Sequence, residues 1–272
     1  MVDIKPEQSI ELLKALHILT RDGKMNQDSR RKLKQVYHLF QFIEPLLKQL
    51  AQQDHPITLV DHGAGKSYLG FILYDLFFKS LHDASHIYGI ESRQELVENS
   101  RALAKQCEFS RMSFLHLTVA EAIHTSELPQ AVDIVTALHA CDTATDDAIH
   151  FALEKRAKFI VVVPCCQAEV AGELRKIKSQ QLHDPLTEIW RHPIHTREFG
   201  SQLTNVLRCL QLEAHGYQVT VTELVGWEHS MKNELIVATY KDLPRRKPTE
   251  RLQQVLSKVG LEHMQQRFNI HA

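Results

Sequence analysis

The chain has 272 residues, 43% hydrophobic and 24% charged, with a formal net charge of −1, the proportions of an ordinary globular protein long enough to bury a substantial core. No apolar run reaches membrane-spanning length, and Met1-Val2-Asp3-Ile4-Lys5-Pro6 lacks the apolar centre of a signal peptide. Five cysteines, two of them adjacent at Cys165-Cys166, do not resemble a secreted disulfide framework, so the expectation is a cytoplasmic protein with free thiols and no membrane partner.

The charge is uneven. Residues 1–55 carry nine Lys and Arg against seven Asp and Glu, residues 241–272 carry seven against three, and the centre, 56–240, has a net charge of −7. Basic ends around an acidic middle point to RNA contact through the termini, or to solvated helix faces.

Apolar side chains at helical spacing predict a helix over 8–20, closed by Gly23, and a second over about 29–53 that opens on Arg30, Arg31, Lys32 and Lys34. Pro45 is expected to kink or divide it. These helices form an N-terminal addition, 1–55, to the main domain.

From Ile57 the pattern alternates strand and helix, the signature of a parallel sheet with crossover helices. The first strand, 57–61, runs into Asp61-His62-Gly63-Ala64-Gly65-Lys66-Ser67 and a helix over 66–80. Gly63 and Gly65 permit positive φ and close approach of a ligand, and the helix start turns free N–H groups toward whatever binds. Val60 stands where a phosphate-binding P-loop needs its first glycine, and Tyr68 where a dinucleotide fingerprint needs a small residue. What remains, an acid-x-Gly-x-Gly turn, resembles motif I of the class I S-adenosylmethionine-dependent methyltransferases. That resemblance implies that Asp61 lies by the cofactor's ammonium group.

The second strand, 86–91, ends on Glu91, where an α/β fold holds a ribose. After a helix over 93–106 and a strand over 113–117, Val119, Ala120 and Glu121 occupy the loop expected to border the adenine. The fourth strand, 132–138, runs into His139-Ala140-Cys141-Asp142, and the fifth, 159–163, into Pro164-Cys165-Cys166-Gln167. A histidine, an aspartate and three thiols therefore converge on one sheet edge. An insertion over about 171–200 carries Arg191, His192, His195 and Arg197, a placement suited to substrate recognition. A helix over 198–215 and strands at 218–224 and 234–240 follow, joined by a loop carrying Trp227, Glu228, His229, Lys232 and Asn233. A basic linker over 241–248 leads to a last helix, 249–265.

Taken together, Asp61-x-Gly63-x-Gly65-Lys66-Ser67-Tyr68-Leu69, Leu138-His139-Ala140-Cys141-Asp142, Val163-Pro164-Cys165-Cys166 and Lys232-Asn233-Glu234-Leu235-Ile236 resemble one branch of class I methyltransferases. This branch is shared by bacterial uncharacterised methyltransferases, eukaryotic methyltransferase-like proteins and the glutathione S-transferase C-terminal domain-containing protein. The resemblance covers about 55–240. It implies a seven-stranded Rossmann-like sheet, mostly parallel with an antiparallel last strand, S-adenosylmethionine as cofactor, and Asp61, Gly63, Gly65, Glu91, Ala120 and Glu121 around it. The acceptor is expected to be RNA, with protein or a small molecule as the alternative, and His139 or Asp142 to orient it or take its proton. Cys165 also resembles the Pro-Cys nucleophile of pyrimidine C5-methyltransferases. No C-x-x-C is present, so the His139, Cys141, Cys165 and Cys166 set is not read as a zinc site. A methyltransferase fold reduced to a binding module is the non-enzymatic alternative.

Overall fold

The computed structural model describes residues 4–53, 55–81, 84–138, 140, 142–164, 167–177, 185–224, 234–242 and 247–268. Its centre is a seven-stranded sheet in the order β3-β2-β1-β4-β5-β7-β6, built from β1 (Thr58–His62), β2 (His86–Glu91), β3 (Met112–His116), β4 (Ile134–Ala137), β5 (Phe159–Val162), β6 (Tyr217–Glu223) and β7 (Glu234–Tyr240). The first five strands are mutually parallel, and β7 pairs antiparallel with both β5 and β6. This is the sheet expected from the sequence, with its single reversed strand.

Strand periodicity explains the layering. Side chains alternate between faces, so Leu59, Ile134, Phe159, Val161 and Leu235 join one apolar cluster while Val60, Val135, Ile160, Val162 and Ile236 join another. The first cluster is covered by α1 (Ile10–Ala15), α2 (Gln27–Ala51), α3 (Tyr68–Leu76) and α4 (Gln94–Gln106). The second lies under α5 (Val119–His124) and α6 (Thr143–Glu154). A third cluster joins α7 (Glu169–Ile177), α8 (Pro193–Ala214), α9 (Pro248–Lys258) and the 3-10 turn Glu262–Phe268.

Several boundaries differ from the sequence reading. The helix expected over 8–20 is only Ile10–Ala15, because Ile18 and Leu19 turn back to hydrogen-bond the Leu13 carbonyl. Pro45 does not divide α2. It stands on the exposed side, where the carbonyl that it deprives of a donor can be met by water. The segment expected as a loop around Ala120 and Glu121 is α5, opened by a capping box between Thr118 and Glu121. α8 begins at Pro193, five residues earlier than expected, with proline at a first-turn position that needs no N–H donor. The expected helix 249–265 is α9 followed by the separate 3-10 turn.

The N-terminal addition is part of the core. Leu33, Leu39, Phe40, Ile43 and Leu47 of α2 are fully or almost fully buried in the first cluster. Ile43→Ala is therefore expected to cost about 2–5 kcal/mol in denaturant unfolding, from lost burial and the cavity left behind. A loss below about 1 kcal/mol would mean that α2 rests loosely on the sheet.

Candidate functional site

The strand order changes direction between β1 and β4, so the loops after these two strands leave in opposite directions and open a crevice at the carboxyl edge. The turn after β1 supplies its backbone. Gly63 and Gly65 have φ of 64° and 58°. Ser67 shares this left-handed conformation at φ 51°, a position where an L side chain is strained, and its Oγ is buried without a partner among the described residues. Nothing in the residue type marked Ser67 for that role.

Asp61, the penultimate residue of β1, is 2% exposed, and its Oδ1 accepts a 2.8 Å hydrogen bond from Thr136 Oγ1 of β4. Burial pushes its pKa up to about 7, only partly offset by that bond. His62 beside it is buried against Phe151, with Nε2 unpartnered among the described residues. Burial pushes its pKa down to about 4, against the opposing pull of the Glu91 charge. Near neutral pH the imidazole is therefore uncharged.

Glu91 ends β2 and is held from several sides. Its Oε2 accepts from the Gly65 backbone N–H at 2.8 Å, while Oε1 accepts from the Arg93 backbone at 3.0 Å and from Arg93 Nε at 2.9 Å. Burial raises its pKa, but the Arg93 and Gly65 hydrogen bonds outweigh this, leaving it below the usual carboxylate range. The glycine turn and the second strand are thus fastened together through one carboxylate.

A desolvated carboxyl short of a cationic partner, a turn of positive-φ glycines and an ionised carboxylate at the neighbouring strand end suit the ammonium and ribose ends of S-adenosylmethionine. Elsewhere the expected residues are placed differently. Glu121 directs Oε2 to the Thr118 N–H at 2.8 Å and the Thr118 hydroxyl at 2.7 Å, so its carboxylate serves as a helix cap. Ala120 lies in the first turn of α5. His139, Cys141, Cys165 and Cys166 lie outside the described residues, as does the loop carrying Trp227, Glu228, His229, Lys232 and Asn233.

Asp142 precedes α6 with φ 52° and ψ −122°. Its Oδ1 accepts from the backbone N–H groups of Ala168 at 2.9 Å and Glu169 at 3.3 Å, tying the loop after β4 to the start of α7. Behind it lies a polar network that the sequence reading missed. Arg208 of α8, with no exposure, makes paired 2.8 Å bonds to Asp146 and donates to the Asp142 carbonyl at 2.9 Å and to Asn205 at 3.1 Å. Asn205 also accepts from Gln167 at 3.2 Å and donates to Glu234 at the start of β7. An arginine on a long amphipathic helix gives no hint of such partners; they become visible only when α6 and α8 pack.

Beside this network, Gln167, Ala168, Ala171, Arg175, Pro193, Ile194 and Arg197 line a groove of about 420 Å³ between α7 and α8. Gly200 makes that packing possible, since a Cβ there would stand 2.7 Å from the Ala171 Cβ. Among the described residues, no group of three or more His, Cys, Asp or Glu could hold a metal ion.

A family model described as a methyltransferase domain matches residues 31–173, just over half of the chain. The glutathione S-transferase C-terminal domain-containing protein of Mus musculus is 24% identical over 235 residues, covering 80% of this chain and 34% of the relative. Its Bos taurus counterpart is 22% identical over 241 residues with the same coverage, so the chain spans about a third of the length of the curated relatives it matches. Among solved structures, magnesium protoporphyrin IX methyltransferase from Synechocystis PCC 6803 with bound SAH superposes with TM-score 0.49 at 12% identity, covering 84% of this chain and 94% of that one. The N-terminal domain of human METTL16 in complex with SAH gives TM-score 0.44 at 11% identity, covering 76% and 70%.

Two outcomes are expected. S-adenosylhomocysteine retains the ammonium, which favours ionised Asp61, so binding must expel the Asp61 proton below about pH 7. Calorimetric affinity should therefore rise about tenfold from pH 6 to 8 by one-proton linkage, and Asp61→Asn should remove that dependence. The folded pKa lies above the ordinary 3.8, so the stability that Asp61 contributes is full below about pH 4 and is lost as pH rises through about 7. In the network, Arg208→Met strands a buried carboxylate and should cost about 3–5 kcal/mol in unfolding, whereas adding Asp146→Leu should recover most of the loss. Equal losses in the single and double variants would mean that the pairing is energetically idle.

Proposed function

The chain belongs to the methyltransferase-domain family whose model spans residues 31–173, and from that premise we propose that the methyl group it transfers goes to RNA. It is an S-adenosylmethionine-dependent enzyme, and the bound cofactor supplies a methyl group on a positively charged sulfur, open to in-line attack. The chain's own work is then orientation. Asp61 would pair with the ammonium, Glu91 would accept from the ribose hydroxyls, and the backbone at Gly63 and Gly65 would let the cofactor approach. On the acceptor side, Asp142 has one carboxylate oxygen engaged by the start of α7, leaving the other to orient the acceptor or take its proton. His139 and Cys165 remain candidates for the same work.

The observation that carries the RNA reading is the groove between α7 and α8. Two arginines, Arg175 and Arg197, line it together with Ala168, whose N–H meets Asp142. Arg175 is exposed and makes no ion pair among the described residues, whereas Arg197 pairs with its neighbour Glu198 at 2.8 Å on the exposed surface. Cations on a groove wall that adjoins the acceptor loop suit phosphates flanking a target nucleotide. Arg30, Arg31 and Lys34 add an exposed basic run at the start of α2. The C-terminal segment supports the reading less than its sequence promised, since Lys247, Arg251 and Arg267 are each engaged by a glutamate. A cytoplasmic setting agrees with Cys107 and Cys209, both free thiols.

Protein is the second reading, favoured by exposed apolar side chains on the insertion: Leu186 at 40%, Ile189 at 48% and Ile194 at 56%. Incubation of cell-derived RNA and protein fractions with radiolabelled cofactor separates the two. Label is expected in RNA, and Arg175→Glu with Arg197→Glu should raise the RNA KM about tenfold or more and lower the salt slope of RNA binding by about one to two, with S-adenosylhomocysteine affinity unchanged. Label confined to protein would overturn the RNA reading.

A further inference from the structure

A second cavity, of about 500 Å³, is lined by none of Gly63, Glu91, Arg175 and Arg197. Its walls come from the end of α1 (Ala15, Leu16, His17), the start of α3 (Lys66, Tyr68) and the length of α4 (Leu96 to Gln106). The N-terminal addition completes it. His17 holds its place in a left-handed conformation at φ 55°, with its carbonyl accepting from Ser29 Oγ of α2 at 3.3 Å.

The lining has a definite chemistry. Leu16, Leu96 and Leu103 form an apolar wall, and Tyr68 adds an aromatic ring. Asn99 and Gln106 offer amides that donate and accept together, as a base edge requires. Lys66 and His17 supply the basic groups, and no carboxylate stands among the described lining residues. The side chains of Lys66, Asn99 and Gln106 make no hydrogen bond or ion pair to other described residues, so all three are available to a ligand. An apolar wall, a ring, two amides and a cation match a planar base joined to a phosphate, and the volume falls within the range of small-ligand pockets.

We propose that this cavity binds a nucleotide unit, base and phosphate together. This deepens the RNA reading and rests on it: the unit is one residue of the substrate strand, gripped between the N-terminal addition and α4 while another residue meets the cofactor. A free nucleotide would present the same chemistry. Lys66 stands in the glycine turn itself, so a phosphate held here also steadies the loop that surrounds the cofactor.

The test compares wild type with Asn99→Ala/Gln106→Ala and with Ala102→Trp, which fills the cavity from an exposed position on α4. Affinity is measured for a fluorescein-labelled single-stranded RNA and for AMP and UMP, and cross-links from 4-thiouridine RNA are mapped by mass spectrometry. Thermal unfolding and S-adenosylhomocysteine affinity report whether the variants fold. RNA affinity is expected to fall about tenfold in both variants, with the wild-type cross-link at Tyr68 or His17 lost. Binding of AMP or UMP that the variants abolish, without RNA binding, would keep the nucleotide site and assign it to a free nucleotide, removing the RNA reading. Unchanged RNA affinity with cross-links elsewhere would overturn the site and leave the RNA reading standing. Binding of neither RNA nor mononucleotide would overturn both.

Discussion

A guanidinium buried without exposure must have its N–H groups met inside the protein, and Arg208 meets this constraint by gathering Asp146, Asn205 and the Asp142 carbonyl. Through Asn205 the same requirement extends to Gln167 after β5 and Glu234 at the start of β7. One charge thereby fixes the relative positions of the loops after β4 and β5, helix α8 and the reversed strand. Burying an ion pair brings little net stability over an apolar core. Its value here is geometric, because a slip of α8 along its axis would leave several buried polar groups unpaired at once.

The cofactor side uses milder means. Two backbone turns meet at the Glu91 carboxylate, which accepts from Gly65 and Arg93 and so sets the distance between the ends of β1 and β2. Asp61, one strand residue inside, is left with a single described hydrogen bond in a dry environment. The contrast is physical: Glu91 is already ionised and braced by Gly65 and Arg93, while Asp61 is kept short of a partner. The first can hold geometry in the free protein, and the second responds most strongly when a cation arrives.

The fold was legible because its signals are local. Aliphatic runs, glycine turns and an acid at a strand end follow from short stretches of sequence, and the strand at 86–91 was placed to the residue. Long-range pairing was not legible. Arg208 and Asp146 are 62 positions apart, and neither residue type announces a buried partner. The helix at Val119–His124 was overlooked for a different reason: Thr118-x-x-Glu121 is a helix-start signature, but the segment's place just after a strand suggests a loop. The left-handed turn at Ser67 was hidden because serine does not advertise positive φ as glycine does. Asp142 combined both difficulties, since its place at the strand end was read correctly while its bonds to Ala168 and Glu169 depend on a helix more than twenty residues later.

The third apolar cluster carries an implication for how the protein is made. Val170 and Leu174 of α7 are covered jointly by α8, α9 and the turn Glu262–Phe268, and Arg267 reaches back to Glu169 at 3.0 Å. On the ribosome, the glycine turn and the first five strands emerge well before the residues that seal this cluster. The half of the molecule suited to the cofactor can thus gather early, whereas the groove wall beside Asp142 must wait for a segment translated about eighty residues after α7 begins. Chain order alone thus separates the residues around the glycine turn from those that close the groove beside Asp142.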